Sequence, residues 1–598
     1  MEQPSELSQL PGELLLKIFQ GLGLHDLLTV SQVCKAWHLL SSSDLLWRPV
    51  CSQTWALWDT RFPDPASHSE TAGEASRVWS RVCQDRWKLD VECRHLVSEM
   101  CWPLRQATAL RRLVELNVLI LEEVQRLANR SEPLQAGTRY FAREALQRLQ
   151  NHLTVQEMSS LVALPANQLD QHLFRGACLI AKLRYPEIDV AQLEAHVDSV
   201  ASVVRARIRR DVEVTRCGGP ATQRGALAAV QILNEALFGT PDENAVSDDG
   251  FSGLQLTGNT QEYYVPENSF LNKVLEGRKG IPITLAIIYA TIGRLSGIHV
   301  DCIGIPAHFL VRVGSEGSPE ERFIDCFHGG RLLTRDDVAQ LLRSMGVAYQ
   351  RELLRPAAAV SVWARMCNNL VEAYRRQEND PEGRPQIRTV QRRLLRTLDM
   401  LLAVCPHEAG ARFLRVKVEL ASLQFEGALE DIQALLRMEE AGRETPPRAL
   451  LLQYVHRAQE MKRQHQGWCE EVRAPRPPGL LYRVGQVMHH MQYDYRGLIF
   501  GWDPVCTADE EWIQAMQVDR LSGGRAQPFY RVLVDEQERR SQSTYVAQEN
   551  IELIAPTAQP LQLEEFGMHF LGFSANGEGS GVYVPNAYLR YRYPEDFA

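Results

Sequence analysis

The stretch Arg473 to Gly479, RAPRPPG, sets three prolines in seven residues between two hydrophobic patterns of different period. Proline lacks a backbone donor and fixes φ, so neither a helix nor a central strand runs through such a segment, and it works as a stiff linker. Before it, apolar residues recur at helical spacing. In LRRLVELNVLILEEVQRLA, Leu113, Leu116, Ile120, Val124 and Leu127 share one face. After it, short runs rich in Val, Ile and Tyr alternate with glycine turns, as in LLYRVGQVM, RGLIFGW and FYRVLVD. Those predict strands of a small β-barrel. The chain is therefore a multidomain α+β protein, and its 598 residues leave room for about four domains. Further breaks are expected at Arg61 to Ser76, Gly239 to Asn259 and Arg376 to Arg388, where Pro, Gly and small polar residues gather.

Composition excludes several classes. Apolar residues at 45% and charged residues at 23% suit packed globular domains, not a disordered, collagen-like or coiled-coil chain. A net charge of −9 gives no electrostatic ground for a polyphosphate partner. The positive charge is carried almost wholly by arginine, with only eight lysines. The 13 cysteines include no C-x-x-C pair, so neither a disulfide framework nor a four-Cys zinc site is expected, and the thiols should be reduced and mostly buried. No metal or cofactor is expected. The opening MEQPSELSQLPGE has no basic and apolar leader pattern. The longest apolar run, Ile281 to Leu295, is broken by Pro282 and Thr284 and is short for a bilayer. A cytoplasmic or nuclear location without membrane contact is expected.

Within the first fifty residues, Pro11 stands at a helix start and Leu14, Leu15, Ile18 and Phe19 follow at helical spacing. A second short helix is predicted from Asp26 and a third carrying Val33, Cys34 and Trp37. So small a unit cannot bury all of that Leu and Trp internally, and the surplus stripe implies a partner groove. The string LPGELLLKIFQGLGLHDLLTVSQVCKAWHLLSSSDLLWRPVC closely resembles the F-box. The matching features are Leu10-Pro11, the Leu14/Ile18/Phe19 stripe, Asp26-Leu27, the Val33-Cys34 to Trp37 segment and Leu46-Trp47. The resemblance implies binding to a Skp1-type adaptor, and through it to a cullin-RING ubiquitin ligase. The implied adaptor-binding set is Leu10, Pro11, Leu14, Leu15, Ile18, Phe19, Leu27, Val33, Cys34, Trp37 and Trp47.

From Asn268, the sequence NSFLNKVLEGRKGIPITLAIIYATIGRLSGIHVDCIGIPAHFLVRV resembles the SirB1 or transglutaminase-like family. In thiol-type relatives a Cys at a helix N-terminus is the nucleophile, a His the base and an Asp its orienting partner. His308 and Asp325 stand at the matching positions, in AHFLVR and RFIDCFHGG. The helix start around Pro282 carries Gly, Ile, Pro, Ile and Thr instead of Cys, and the nearest cysteines, Cys302 and Cys326, lie in strand-like sequence or beside Asp325. His308 and Asp325 are expected to be a vestigial, structural pair with no catalytic residue. Thr284 is the other hydroxyl open to consideration as a nucleophile. The helices from Val360 to Arg437 loosely resemble tetratricopeptide hairpins over one or two units, too few for a solenoid.

The final segment, YRVGQVMHHMQYDYRGLIFGWDPVC with QPFYRVLVDE and TYVAQENIELI, closely resembles the YccV or HspQ-like β domain, a type also labelled hemimethylated-DNA-binding. Yet from Leu480 to Pro556 there are seven Arg and no Lys against eleven Asp and Glu, net negative by four. A duplex binder needs a basic face, so nucleic acid is not expected as a partner. Tyr495, Trp502, Trp512 and Tyr530 are the candidate contacts for an unknown protein substrate, with barrel-core packing as the alternative for Trp502 and Tyr530.

The expected domains are an F-box at 1–51, a helical region at 52–222, a SirB1-like domain at 223–355, a tetratricopeptide-like extension at 356–472 and the YccV-like domain at 478–598. Together the resemblances imply a non-catalytic substrate receptor of an SCF-type ubiquitin ligase. The alternatives are a DNA or chromatin binder through the C-terminal domain, and a hydrolase using the middle one.

Overall fold

The structure is a computed structural model that describes residues 10–57, 79–132, 134–239, 253–378, 387–535, 543–555, 561–563, 565–575 and 581–598. The break expected at Arg61 to Ser76 lies outside the described residues, as do most of the second and third. The chain divides into two compact units, one made of Met1–Gln150 with His465–Ala598 and the other of Asn151–Gln464.

In the first unit, Pro11 caps the helix Gly12–Phe19, and two short helices follow at Leu24–Val30 and Lys35–Ser41. The closing Leu46-Trp47 sits in a fourth, Asp44–Thr54. Leu15, Phe19, Leu27, Leu46, Trp47 and Trp55 form one core. The long Trp79–Glu99 helix closes it through Cys83, and the Trp55 indole donates to Asp90 Oδ2 at 2.9 Å. Cys51 and Cys83 are joined as a disulfide with Cα atoms 5.9 Å apart, which corrects the expectation of reduced thiols for that pair, while the other eleven cysteines are free. The pairing comes from two helices packed side by side, and a separation of 32 residues gives no local sign of it. The stripe from Leu113 to Leu127 is buried as its spacing predicts, but a 3₁₀ turn at Asn117–Ile120 divides it between the helices Pro103–Leu116 and Leu121–Ala128.

The C-terminal part of this unit is a five-stranded antiparallel sheet. In spatial order its strands are Ser543–Ala547, Phe529–Val534, Tyr495–Asp503, Val487–His490 and Ile551–Leu553. Among the described residues its ladder is open, since the first and last of these strands do not pair. A hairpin, Phe570–Ala575 with Gly581–Pro585, and the Ala587–Arg592 helix add Phe570, Tyr583 and Leu589 to its core.

The second unit is built round the apolar helix Pro282–Leu295, which is buried on nearly every side. A helix apolar all round must lie inside a core. The helices Leu173–Lys182, Val190–Arg210 and Gln223–Phe238 pack into the same core, as does one four-stranded antiparallel meander. The meander runs Val300–Ile305, His308–Val313, Arg322–Asp325, Arg331–Leu333. Helices Ala359–Glu378, Ile387–Val404, Ala409–Ala421 and Phe425–Glu440 follow. No helix among the described residues is long and apolar enough to cross a membrane.

Candidate functional site

The first helix faces two ways. Leu15 and Phe19 turn into the core, while Leu14 and Ile18 stand 47% and 46% exposed on its outer side. Val33 is 59% exposed, and Cys34 and Pro11 are also at the surface. Leu10 and Trp37 are half-buried, and the Trp37 ring meets Phe19 edge-on at 5.5 Å. Leu27 and Trp47 are core residues. The eleven residues expected to meet an adaptor therefore split into a scaffold of Leu15, Phe19, Leu27 and Trp47 and an outward apolar set led by Leu14, Ile18 and Val33. Leu39 and Leu45 are also exposed, two surface leucines that the motif comparison did not single out. Leu14 and Ile18, one turn apart on the same helix, present an exposed apolar stripe of the kind that marks a partner surface.

In the middle unit, His308 opens its strand after Ala307, which takes a left-handed φ of 57° in the preceding tight turn. Asp325 ends the next strand and caps the short 3₁₀ turn Cys326–His328. One carboxylate oxygen, Oδ1, accepts the backbone N–H groups of Phe327 at 3.1 Å and His328 at 3.3 Å. The other, Oδ2, faces two imidazoles, with His328 Nδ1 at 2.8 Å and His308 Nε2 at 3.0 Å. Burial pushes the Asp325 carboxyl up, but the two neighbouring imidazoles, His308 first, outweigh it and hold the group below its ordinary value. His328 belongs to this cluster and was missed, because HGG after a strand reads simply as a turn.

Ile281 is the cap and Pro282 the first residue of the Pro282–Leu295 helix. The Thr284 hydroxyl is fully buried, lies 3.0 Å from the carbonyls of Asn268 and Ile281, and accepts the Ile281 N–H at 3.1 Å. It is a satisfied capping group. Burial pushes the Cys302 thiol up to about 12 and that of Cys326 well above its ordinary value, so neither carries thiolate at neutral pH.

The four aromatic residues expected to touch substrate do not form an exposed surface. Tyr495, Trp502 and Tyr530 are buried, and Trp512 is half-buried against Tyr545. This corrects the expectation of an exposed contact at Tyr495, and for Trp502 and Tyr530 the structure takes the alternative of barrel-core packing. The sheet is covered on both faces, so residues of both parities along Tyr495–Asp503 lie inside. Its arginines are engaged with carboxylates. Arg496 reaches Asp535 at 3.1 Å, Arg531 reaches Asp503 at 3.3 Å, and Arg525 lies 2.6 Å from both Glu510 and Asp519.

Three family models match parts of the chain. Residues 7–53 match the F-box-like family, residues 191–368 the transglutaminase-like superfamily and residues 480–577 the family described as hemimethylated DNA-binding protein YccV like. With the fold, these define a class, a three-module protein with an F-box at its N-terminus, a transglutaminase-like middle and a YccV-like end. Taken whole, the chain is similar to F-box only protein 21. It is 26% identical to the Mus musculus protein over 99% of this chain and 93% of that one. It is 26% identical to the Homo sapiens protein over 99% of this chain and 92% of that one. A UPF0162 protein of Xylella fastidiosa is 28% identical over 44% of this chain and 83% of its own length. No solved structure matches.

Proposed function

We propose that this chain is the substrate-recognition subunit of an SCF-type ubiquitin ligase, acting in the cytoplasm or nucleus. The observation that carries this reading is the division of the first helix, with Leu15 and Phe19 holding the bundle while Leu14 and Ile18 stay outside it. A Skp1-type adaptor would cover that outer face and link the chain to a cullin-RING complex. The receptor adds no chemistry of its own, and its contribution is to hold a substrate lysine close to the charged conjugating enzyme. The buried, capped Thr284 and the buried thiols support a non-catalytic middle domain. The paired arginines of the C-terminal sheet support protein over duplex DNA as its partner.

The test is the double variant Leu14→Asp with Ile18→Asp in the full chain. Two charges in a desolvated groove cost several kcal/mol, enough to remove micromolar binding. Co-purification of adaptor and cullin should disappear while thermal melting stays unchanged. Capture at wild-type yield would end the ligase reading.

A further inference from the structure

We infer that His308, Asp325 and His328 form a binding site for a divalent transition-metal ion, Zn²⁺ foremost, with a coordination position left open to solvent. This goes against the sequence-based expectation of no metal, and it stands independently of the ligase reading. The three residues each offer one ligand atom, and those atoms lie within 4.8 Å of one another. Two imidazole nitrogens and one carboxylate oxygen are the donor set that Zn²⁺ takes in sites with three protein ligands.

The geometry carries the assignment beyond proximity. Around a tetrahedral zinc at its usual bond lengths, ligand atoms stand about 3.3 Å apart. Here His328 Nδ1 and His308 Nε2 lie 2.8 and 3.0 Å from Asp325 Oδ2, so a small expansion admits an ion. His308 is only 7% exposed, and its Nε2 has no hydrogen-bond partner despite that short separation. A buried ring nitrogen held near a carboxylate but off the line for N–H···O is costly as it stands. Ligands of a shared ion have that arrangement, because each points at the ion and not at its neighbour.

The surroundings fix the donors. Asp325 Oδ1 is held by two backbone N–H groups, which leaves Oδ2 facing the imidazoles. Phe327 packs edge-on against both rings, at 6.3 Å from His308 and 5.3 Å from His328. Gly258 lets its strand pass directly beneath, since a Cβ there would stand 2.4 Å from the Phe327 carbonyl. The Arg365 guanidinium holds the His308 carbonyl at 2.9 Å. Such outer contacts orient metal ligands. The His328 side chain is 60% exposed, so the ion would be reached from solvent and would keep a water on that side.

The experiment is Zn²⁺ titration of the chelator-treated full chain, by calorimetry and elemental analysis, beside the variant His328→Ala. That ring is exposed, so its loss leaves the fold intact. The chain has 16 His and 13 Cys, and the difference between the two proteins is therefore the readout. The wild type should bind one equivalent that the variant loses or holds at least about tenfold more weakly, since even outer-shell partners typically contribute about that much. Co²⁺ should give visible d–d bands in the wild type that are absent from His328→Ala and from Asp325→Asn. Equal stoichiometry and affinity in wild type and His328→Ala, or no Zn²⁺ bound by the wild type, would overturn the inference.

Discussion

The Trp502 indole donates to Oδ2 of Asp596 at 2.9 Å, across 94 residues of sequence. The same oxygen accepts the Val484 backbone N–H at 2.9 Å, and Oδ1 lies 3.3 Å from Arg476 Nη1. One buried carboxylate so fixes a tryptophan of the sheet, the segment that leads into it and the tail that covers it. Asp596→Ala strands two buried donors and should cost about 2–4 kcal/mol. Hydrogen exchange at the Val484 amide reports it, and protection should largely survive in Asp596→Asn.

Leu14 and Phe19 separate binding from folding. Phe19 is buried against Trp37, so Phe19→Ala should cost about 3–5 kcal/mol and open the N-terminal helices to limited proteolysis. Leu14→Ala should change stability by no more than about 0.5 kcal/mol and yet weaken adaptor capture. Equal proteolytic sensitivity of the two variants would show that Leu14 also belongs to the core.

For His308→Ala, ubiquitin transfer by the assembled complex should run at the wild-type rate at matched folded protein. Some stability is lost, on the order of 1–3 kcal/mol, because a nearly buried ring is removed from the core beside Asp325. A fall in turnover of about a hundredfold or more with the fold intact, the size of a general-base contribution, would instead mark an active site.

The Asp325 carboxyl sets an acid limit on its own loop. Its value in the folded state lies below the ordinary 3.8. The carboxylate therefore contributes stability that is fully present above that pH and lost as pH falls through the lower, folded value. Exchange protection of the Phe327 and His328 amides should be flat from neutral pH down to about 4 and then decline. Asp325→Asn should remove the decline, and an unchanged acid profile in that variant would place the titrating group elsewhere.

Full-length protein should show no saturable binding to duplex DNA, hemimethylated or not, at physiological salt. The segment Leu480 to Pro556 is net negative by four and its Arg496, Arg525 and Arg531 lie against carboxylates, which gives no surplus of positive charge with which to release counterions. Titration of a labelled duplex across a salt series checks this. Low-micromolar affinity with a log–log slope near about −4 would show a basic face that the pairing conceals.

The sequence carried much of this. The i, i+4 spacing that placed Leu14 and Ile18 together is a local helical property, and so is the proline that starts their helix. His308 and Asp325 were legible because each stands in a strand-like run at a motif position. Core packing of Trp502 and Tyr530 stood beside contact as an open alternative, whereas the burial of Tyr495 was not legible, because its strand shows no alternation once a hairpin and a helix from far along the chain join the core. Cys51 with Cys83, and His328 beside His308, are pairings between elements, and nothing in their immediate neighbours specifies them.

The first compact unit draws on residues up to Gln150 and again from His465 onward. Within it, Trp102 packs against Tyr588 and Tyr591 at 5.8 and 5.4 Å, and Gly137 leaves room for Gly567. During synthesis the helices that follow the F-box therefore complete their packing only after residues from His465 onward have left the ribosome, whereas Asn151–Gln464 finds its packing partners within its own span. A premature stop beyond residue 464 would leave a folded middle with an N-terminal part deprived of its packing partners, a ready target for chaperones and proteases. Intactness of the distal end is thus a condition for finishing the near one.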